Sequence, residues 1–410
     1  MPDASGSTLD ALPQPPVPDA VLAIVRRLTA AGHEAWCVGG AIRDAILGIP
    51  STDFDITTSA SPDLVVALFR RTVAIGIQYG TVGVIGDDDV MREVTTFRAD
   101  VATDGRHAVV QYGVSLDDDL ARRDFTINAI AWQPDAQEWR DPFGGLRDLR
   151  AGVLRAVGDP ALRFREDYLR ILRAVRFSAR FRFAMDPATY AAAVSLSSGL
   201  RGLSAERVLD EWKKGLAATP DLALLVALWH EIGAAAEWMP ELRANDEVRT
   251  LALPTITEGR DLACCTAALT TSPTAVLQRL KAPSAAIART AAMERGPVAP
   301  AGDDARVVRR WLADVQEVAD DLRAVACMRR GRDPTWGAVI DDIRARGDAT
   351  SRGTLAIKGG DLIKAGIRPG PLLGGVLDQL LDEVVEEPSR NEAVRLLARA
   401  LEIAAARAPQ

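Results

Sequence analysis

Three short stretches carry residues whose type and spacing suit phosphate chemistry. The first is Gly39-Gly40-Ala41-Ile42-Arg43-Asp44, between an apolar run, Ala35-Trp36-Cys37-Val38, and a helical pattern. Glycine lets the backbone approach a phosphate closely, and the free N–H groups that open a helix favour an anion. An ordinary tight strand–helix turn uses the same residues, and no GxGxxG dinucleotide fingerprint is present. Arg43, one turn into the helix, is placed to reach a phosphate. The second stretch is Asp53-Phe54-Asp55. Two apart on a strand, these carboxylates point to one side. Like charges held together call for a cation, and hard oxygen ligands beside a phosphate substrate suggest Mg²⁺. A metal there would serve an in-line displacement. The plain alternative is a solvent-facing acidic strand end. The third is Glu93 in Met91-Arg92-Glu93-Val94, a candidate third carboxylate on a neighbouring strand, or else a surface residue of an edge strand.

Two further stretches add cations. Arg122-Arg123-Asp124-Phe125-Thr126-Ile127-Asn128 could neutralise a triphosphate, or be a helix cap with a surface pair. Residues 166–176 read as one amphipathic helix, with Tyr168, Ile171, Leu172 and Val175 on one arc. Glu166, Asp167, Arg170, Arg173 and Arg176 fall on the other. Asp167 and Arg170, one turn apart, form an acceptor–donor pair able to hydrogen-bond the edge of a nucleobase, where a mismatch leaves site groups unpaired. From residue 146 to 182 there are ten arginines against four acids, although the whole chain carries a net charge of −7. Affinity for a nucleic acid must therefore come from local patches; a solvated helix face is the bland reading of this one.

These residues need elements to hold them. The fold class predicted is α+β: a mixed α/β head, then an all-α remainder. Apolar periodicity predicts a helix over residues 18–32, a strand at 35–38, a helix at 41–47 and a strand at 53–57. A helix at 61–69 and strands at 81–85 and 92–97 follow. Residues 99–108 are polar and read as a mobile loop. Beyond Pro160 the apolar spacing is helical almost to the end. The domains expected are a disordered tail (1–17), a catalytic head (18–150), a helical neck (151–220), a body (221–295) and a tail (303–410). The Gly- and Pro-rich residues 296–302 serve as linker.

Composition excludes several classes. Hydrophobic residues make up 48% and aromatics 5% of the 410 residues, so cores must be built from Ala, Leu, Val and Ile. No apolar run approaches the roughly 20 residues of a membrane span. Residues 1–18 lack the blocks of a signal peptide, so a cytoplasmic protein is expected. The four cysteines and three histidines show no metal-ligand spacing, which argues against zinc and for reduced thiols.

Taken together, GGAIRD (39–44), DFDITT (53–58), REVTTFR (92–98), DLARRDFTINAIA (119–131), RFREDYLRILRAVRF (163–177) and LSAERVLDEWKKGL (203–216) resemble the bacterial class II CCA-adding tRNA nucleotidyltransferase and poly(A) polymerase family. The resemblance is dense from about residue 35 to 216, with a further stretch at 357–371. It implies a head, neck, body and tail, and a tRNA 3′ hydroxyl that attacks the α-phosphate of CTP or ATP with release of pyrophosphate. It implies Mg²⁺ on Asp53 and Asp55, and phosphate contacts from Gly40, Arg43 and Arg123, with Gly39 in the nucleotide-binding set. It further implies a protein template in Asp167 and Arg170, and a nucleotide site lined by Arg173 and Arg176. The partners implied are the tRNA 3′ end and acceptor arm, with no membrane and no obligate protein partner. The helix at 204–216 would brace the neck. Residues 99–108 keep Asp104-Gly105-Arg106 but lack the aromatic and proline common there. No His-Asp phosphohydrolase constellation occurs in the C-terminal half.

Three rival readings follow from the same residues. A poly(A) polymerase or a partial enzyme adding only C or only A shares every motif. Asp53-Phe54-Asp55-Ile56-Thr57 also fits the DxDxT nucleophile motif of haloacid-dehalogenase phosphatases, but residues 48–52 form a loop where that chemistry needs an apolar strand. A non-catalytic RNA-binding protein with a decayed head is opposed by the intact Asp53 and Asp55.

Overall fold

The computed structural model describes residues 14–103, 108–249 and 260–407. Among these residues, contacts divide the chain into two units. One takes in the described residues up to Gly215 together with Ala227–Trp238; the other takes in Leu216–Val226 and the described residues from Met239 onward.

The first unit is built on a seven-stranded mixed sheet. Its strands are β1 (Ala35–Val38), β2 (Asp55–Thr58), β3 (Thr72–Gly76), β4 (Thr81–Ile85) and β5 (Met91–Thr96), with β8 (Ala131–Gln133) and β9 (Glu138–Arg140) after a separate hairpin, β6 (Arg98–Thr103) and β7 (Ala108–Tyr112). The sheet order is β3-β4-β5-β2-β1-β8-β9. β1, buried along its whole length, pairs antiparallel with β2 and β8; β2 and β5 run parallel. A strand buried on both faces must be apolar throughout, and Ala-Trp-Cys-Val meets that demand. β4 pairs with β5 in a hairpin, and β5 alternates: Arg92, Val94 and Thr96 are buried, while Met91 and Glu93 are exposed. One face of this hairpin is core and the other is open.

Helices close the buried face. α1 (Asp19–Ala30) buries Val21, Ile24, Val25 and Leu28, the one-sided spacing of an amphipathic helix. α2 (Gly40–Ile46) leaves β1 directly, and α3 (Pro62–Leu68) starts at Ser61, whose hydroxyl accepts the Leu64 N–H. α4 (Leu116–Ala121) opens with a Ser115–Asp118 capping box. After α5 (Gly145–Ala151) and the short strand β10 (Val153–Leu154) come α6 (Pro160–Glu166) and α7 (Leu169–Phe181). Then follow β11 (Ala184–Met185), α8 (Pro187–Ser195) and α9 (Ala205–Ala218).

Three sequence expectations change here. Residues 99–108 are not a loop throughout: their ends belong to the β6–β7 hairpin, whose Tyr112 hydroxyl donates to the Gln78 carbonyl. Its strands are short, and the polar residues Asp100, Thr103 and Asp104-Gly105-Arg106 interrupt their apolar pattern. Its tip, with Asp104-Gly105-Arg106, lies outside the described residues, as do residues 1–13 of the expected tail. Residues 166–176 are not one helix either. α6 ends at Glu166, Asp167 is extended (φ −156°, ψ 105°), and α7 starts afresh at Leu169. Finally, β2 begins at Asp55, so Asp53 precedes the strand, and the two-residue pleat argument does not apply to it.

The second unit is helical. Residues 296–304 carry no helix or strand and join helices Ser284–Arg295 and Ala305–Val315. Helices Pro371–Glu386 and Ala393–Ala406 pack Val376, Leu380, Val384, Leu396, Ala400 and Ile403 into one core with Leu355, Ile357 and Leu362. Among the described residues, no helix is long and apolar enough to cross a membrane.

Candidate active site

The open face of the sheet and α7 bound a cleft of about 670 Å³. Ten of the eleven residues singled out in the sequence line it: Gly39, Gly40, Arg43, Asp55, Glu93, Arg123, Asp167, Arg170, Arg173 and Arg176. Asp53 is exposed just ahead of β2 and does not line it, but its charge acts on Asp55.

The acidic corner is made by strand register. Ile56 of β2 pairs with Val94 of parallel β5, which sets Asp55 and Glu93, one residue earlier on each strand, side by side. Burial pushes the Asp55 carboxyl up to about 6; the Arg123 guanidinium pulls against that rise, while Asp53 and Glu93 add to it. An extra positive charge beside Asp55 would relieve this crowding, which is what a cation site needs. Among the described residues, no group of three or more His, Cys, Asp or Glu side chains could hold a metal ion. Asp55 and Glu93 offer hard carboxylate oxygens, the ligand type that a divalent cation takes beside phosphate.

Gly39 joins β1 to α2 with φ +79°, a conformation that side-chain-bearing residues rarely adopt. A Cβ there would stand 3.1 Å from the Asp55 Oδ2 and 3.2 Å from the Arg123 Nη1. The glycine thus lets a carboxylate and a guanidinium meet over bare backbone. Arg123 reaches 3.6 Å from Asp119, donates weakly to the Asn128 carbonyl at 3.4 Å, and has no hydrogen-bond partner for its buried Nε. Burial lowers its pKa, with Asp119 opposing.

The other wall is a lattice of arginine, acid and aromatic groups. Arg173 Nε donates to Asp124 at 2.7 Å, and Arg176 Nε to Glu211 at 2.6 Å. Burial works to raise Asp124, but Arg173 and the Asn128 side chain outweigh it and hold it below the ordinary carboxylate range. Phe177 carries the guanidinium groups of Arg43, Arg173 and Arg176 at 5.1, 5.2 and 4.2 Å from its ring centre. Such stacking fixes planar cations without consuming all their donors.

Three of these residues already have partners within the protein. Arg43 is 3% exposed, and its guanidinium is already committed, Nε and Nη2 to Asp44 and Nη1 to Asn128 at 2.6 Å. It ties α2 to the Asn128 segment while lining the cleft. Asp167 and Arg170 do not bond to each other through their side chains. Asp167 accepts from the Leu169 N–H at 3.0 Å and from Arg207 at 2.7 Å. Arg170 donates to Glu166 at 2.5 Å and to the carbonyls of Arg163 and Arg122. Both still line the cleft, each oriented by its own partner.

Sequence reasoning missed Arg207 and Lys214, which line the same cleft from α9. Seven residues apart, they lie on one helix face, a spacing that was visible. Arg98, Asp124 and Asn128 also line the cleft. Asp124 and Asn128 join only through the fold, the Asn128 side-chain amide donating to Asp124 at 2.9 Å.

Residues 35–155 match the poly A polymerase head domain family, and residues 310–400 match a family described as tRNA nucleotidyltransferase domain 2, putative. The chain is 36% identical to the CCA-adding enzyme of Lacticaseibacillus paracasei, over 94% of this chain and 96% of the relative. The chain belongs to the CCA-adding enzyme family. The CCA-adding enzyme of Limosilactobacillus fermentum is 35% identical over 93% of this chain and 96% of its own length. Among solved structures, the Bacillus stearothermophilus CCA-adding enzyme in complex with CTP superposes with a TM-score of 0.73 at 31% identity. That likeness covers 95% of this chain and 98% of that one. As a member of the CCA-adding enzyme family, the chain is a nucleotidyltransferase, and the cleft is its active-site candidate.

Proposed function

We propose that this cleft adds C, C and A in turn to the 3′ end of tRNA, from CTP and ATP, with release of pyrophosphate. One observation carries the reading: a carboxylate corner on two adjacent parallel strands faces an arginine wall within one cleft, as attack on an α-phosphate requires. In this reading Asp53 and Asp55 would hold Mg²⁺, which would supply positive charge for attack by the 3′ hydroxyl and departure of pyrophosphate. Glu93 lies beside Asp55 and orients the hydroxyl. Gly39 and Gly40 leave room for the phosphates, and Arg123 and Arg173 balance their charge. Arg43 and Arg176, held by Asp44, Asn128 and Glu211, keep the wall in place. Asp167 and Arg170 present an acceptor and donors to the base edge, so that the protein itself acts as template. Residues 303–410 serve as the tRNA-binding tail.

The test uses the purified chain and a tRNA lacking its terminal CCA, with CTP alone, ATP alone or both, and Mg²⁺ or a chelator. Two C residues from CTP alone, a single A only after them, and no product with chelator are expected. Long A tails on any RNA would replace this reading with poly(A) polymerase activity.

A further inference from the structure

The open face of the sheet does not end at the carboxylates. Glu93 pairs across the hairpin with Gly83, and Gly83 pairs with Val73 on the edge strand β3. Directly opposed residues of antiparallel strands share a face, so Glu93, Gly83 and Val73 lie in one row on the cleft side. Met91, two residues before Glu93 on β5, shares that face at a distance of about 7 Å along the strand. A Cβ on Gly83 would meet the Met91 Sδ at 2.8 Å and the Ile75 Cδ1 at 3.2 Å, so both side chains lie over this glycine. The result is a flat apolar surface. Val73, Ile75 and Met91 are 40%, 42% and 43% exposed, and on β5 the opposite face, Arg92, Val94 and Thr96, is buried. Large apolar side chains left open next to a reacting centre mark a binding surface more often than a defect.

We infer that this surface seats the terminal nucleoside of the RNA whose 3′ hydroxyl is extended. The inference rests on the proposed function and deepens it. Its argument is continuity and polarity. The cations fit to take a triphosphate are anchored toward β1 and α2: Arg123 against Gly39, Arg180 on Asp44 at 3.0 Å, and Arg173 on Asp124. A nucleophile must reach Asp55 from the other side, across β5, β4 and β3, where the lining turns apolar. A nucleoside has a flat apolar face and gains by covering such side chains, whichever base it carries. Sequence-tolerant seating is what a surface needs when successive steps end in different nucleosides. The turn beyond Met91 limits the footprint. Its acids Asp88 and Asp89 are paired with Arg92 and Arg71 at 2.6 and 2.7 Å, so these two cations are already committed and the acids disfavour a phosphate there. Backbone phosphates must instead lie toward the Thr81 end, where Arg98 and Arg122 line the cleft.

Two measurements test this. The double variant Ile75→Ser/Met91→Ser should raise the KM for tRNA lacking CCA about tenfold, equal to about 1.4 kcal/mol. The KM for CTP and the melting temperature should stay put, and Ile75→Leu/Met91→Leu should behave as the parent. An unchanged tRNA KM, or a CTP KM that rises in step, would overturn the proposal. The second measurement needs no variant. Full-length protein is irradiated with a tRNA ending in 8-azidoadenosine and digested with trypsin, and the peptide of residues 72–92 should carry the label. Labelling confined to α7 or α9 overturns the proposal. So does sedimentation of the parent as a dimer that the double variant dissociates, since the face would then belong to a second copy. If the parent adds nothing to tRNA in the presence of CTP and ATP, the underlying function fails; if the parent is active and the serine variant equals it, only this surface does.

Discussion

Arginine does different work in the two units. In the first, nine arginines and one lysine line a single cleft against four acids, counted among the described residues. In the second, several surface arginines each hold two acids. Arg323 bridges Asp333 and Asp341, Arg399 bridges Glu383 and Glu402, and Arg310 bridges Asp382 and Glu386. A paired surface arginine is screened and has little left for a ligand. An arginine stacked on Phe177 and tied by one nitrogen keeps both its charge and its remaining donors. Charge surplus, not arginine number, separates the two regions, and it explains how a chain of net charge −7 can hold a polyanion.

The largest effect should come from the carboxylates that make the surplus useful. Asp55→Ala or Asp53→Ala should lower turnover by about a thousandfold or more while tRNA binding, followed by filter retention, persists. Surviving activity in either would undo the metal assignment and with it the meaning of the cleft. Next, Arg170→Ala should raise the KM for CTP and ATP and cut discrimination against UTP and GTP by about a hundredfold, read from single-nucleotide incorporation. Gly39→Ala tests the close approach of carboxylate and guanidinium. A forced φ and a displaced Asp55 should cost about tenfold in kcat, with little change in the KM for tRNA.

A smaller effect ties the corner to pH. Asp55 is raised in the fold from 3.8 to about 6, so the folded state binds the proton more tightly than the unfolded chain. Metal-free stability should therefore fall as pH rises from about 4 through 6. Mg²⁺ competes with that proton, so it should raise the melting temperature at pH 8 and lose the effect at pH 5. Asp55→Asn should abolish both trends. The smallest effect belongs to the second unit. Arg323→Ala should change stability by about 1 kcal/mol or less by denaturant titration, with nucleotide KM values untouched. A larger loss of nucleotide affinity there than in Arg173→Ala would reverse the comparison.

Much of this was legible along the chain. The strand at 35–38, the Gly39 turn and the α1 stripe follow from local patterning, because a buried strand and an amphipathic helix each write their environment into consecutive residues. The β6–β7 hairpin was not legible, since Asp100, Thr103 and Asp104-Gly105-Arg106 break up its short apolar stretches. The break at Asp167 also escaped notice. The apolar arc of 168–179 continues smoothly, while the side-chain bond from Asp167 to the Leu169 N–H and the ion pair to Arg207 favour an extended residue there.

The sequence by itself determined the chemistry on offer: a glycine turn, an acidic pair, and an excess of arginine between residues 146 and 182. Those are properties of residue type and near spacing. Only the tertiary structure decided which arginines are spent and which remain. It locked Arg43 onto Asp44 and Asn128, gave Asp167 and Arg170 separate partners, brought Arg207 and Lys214 in from α9, and set Glu93 beside Asp55 through the β2–β5 register. The reason is physical: a charge is free or consumed according to what lies within a few ångströms of it, and those neighbours come from distant parts of the chain.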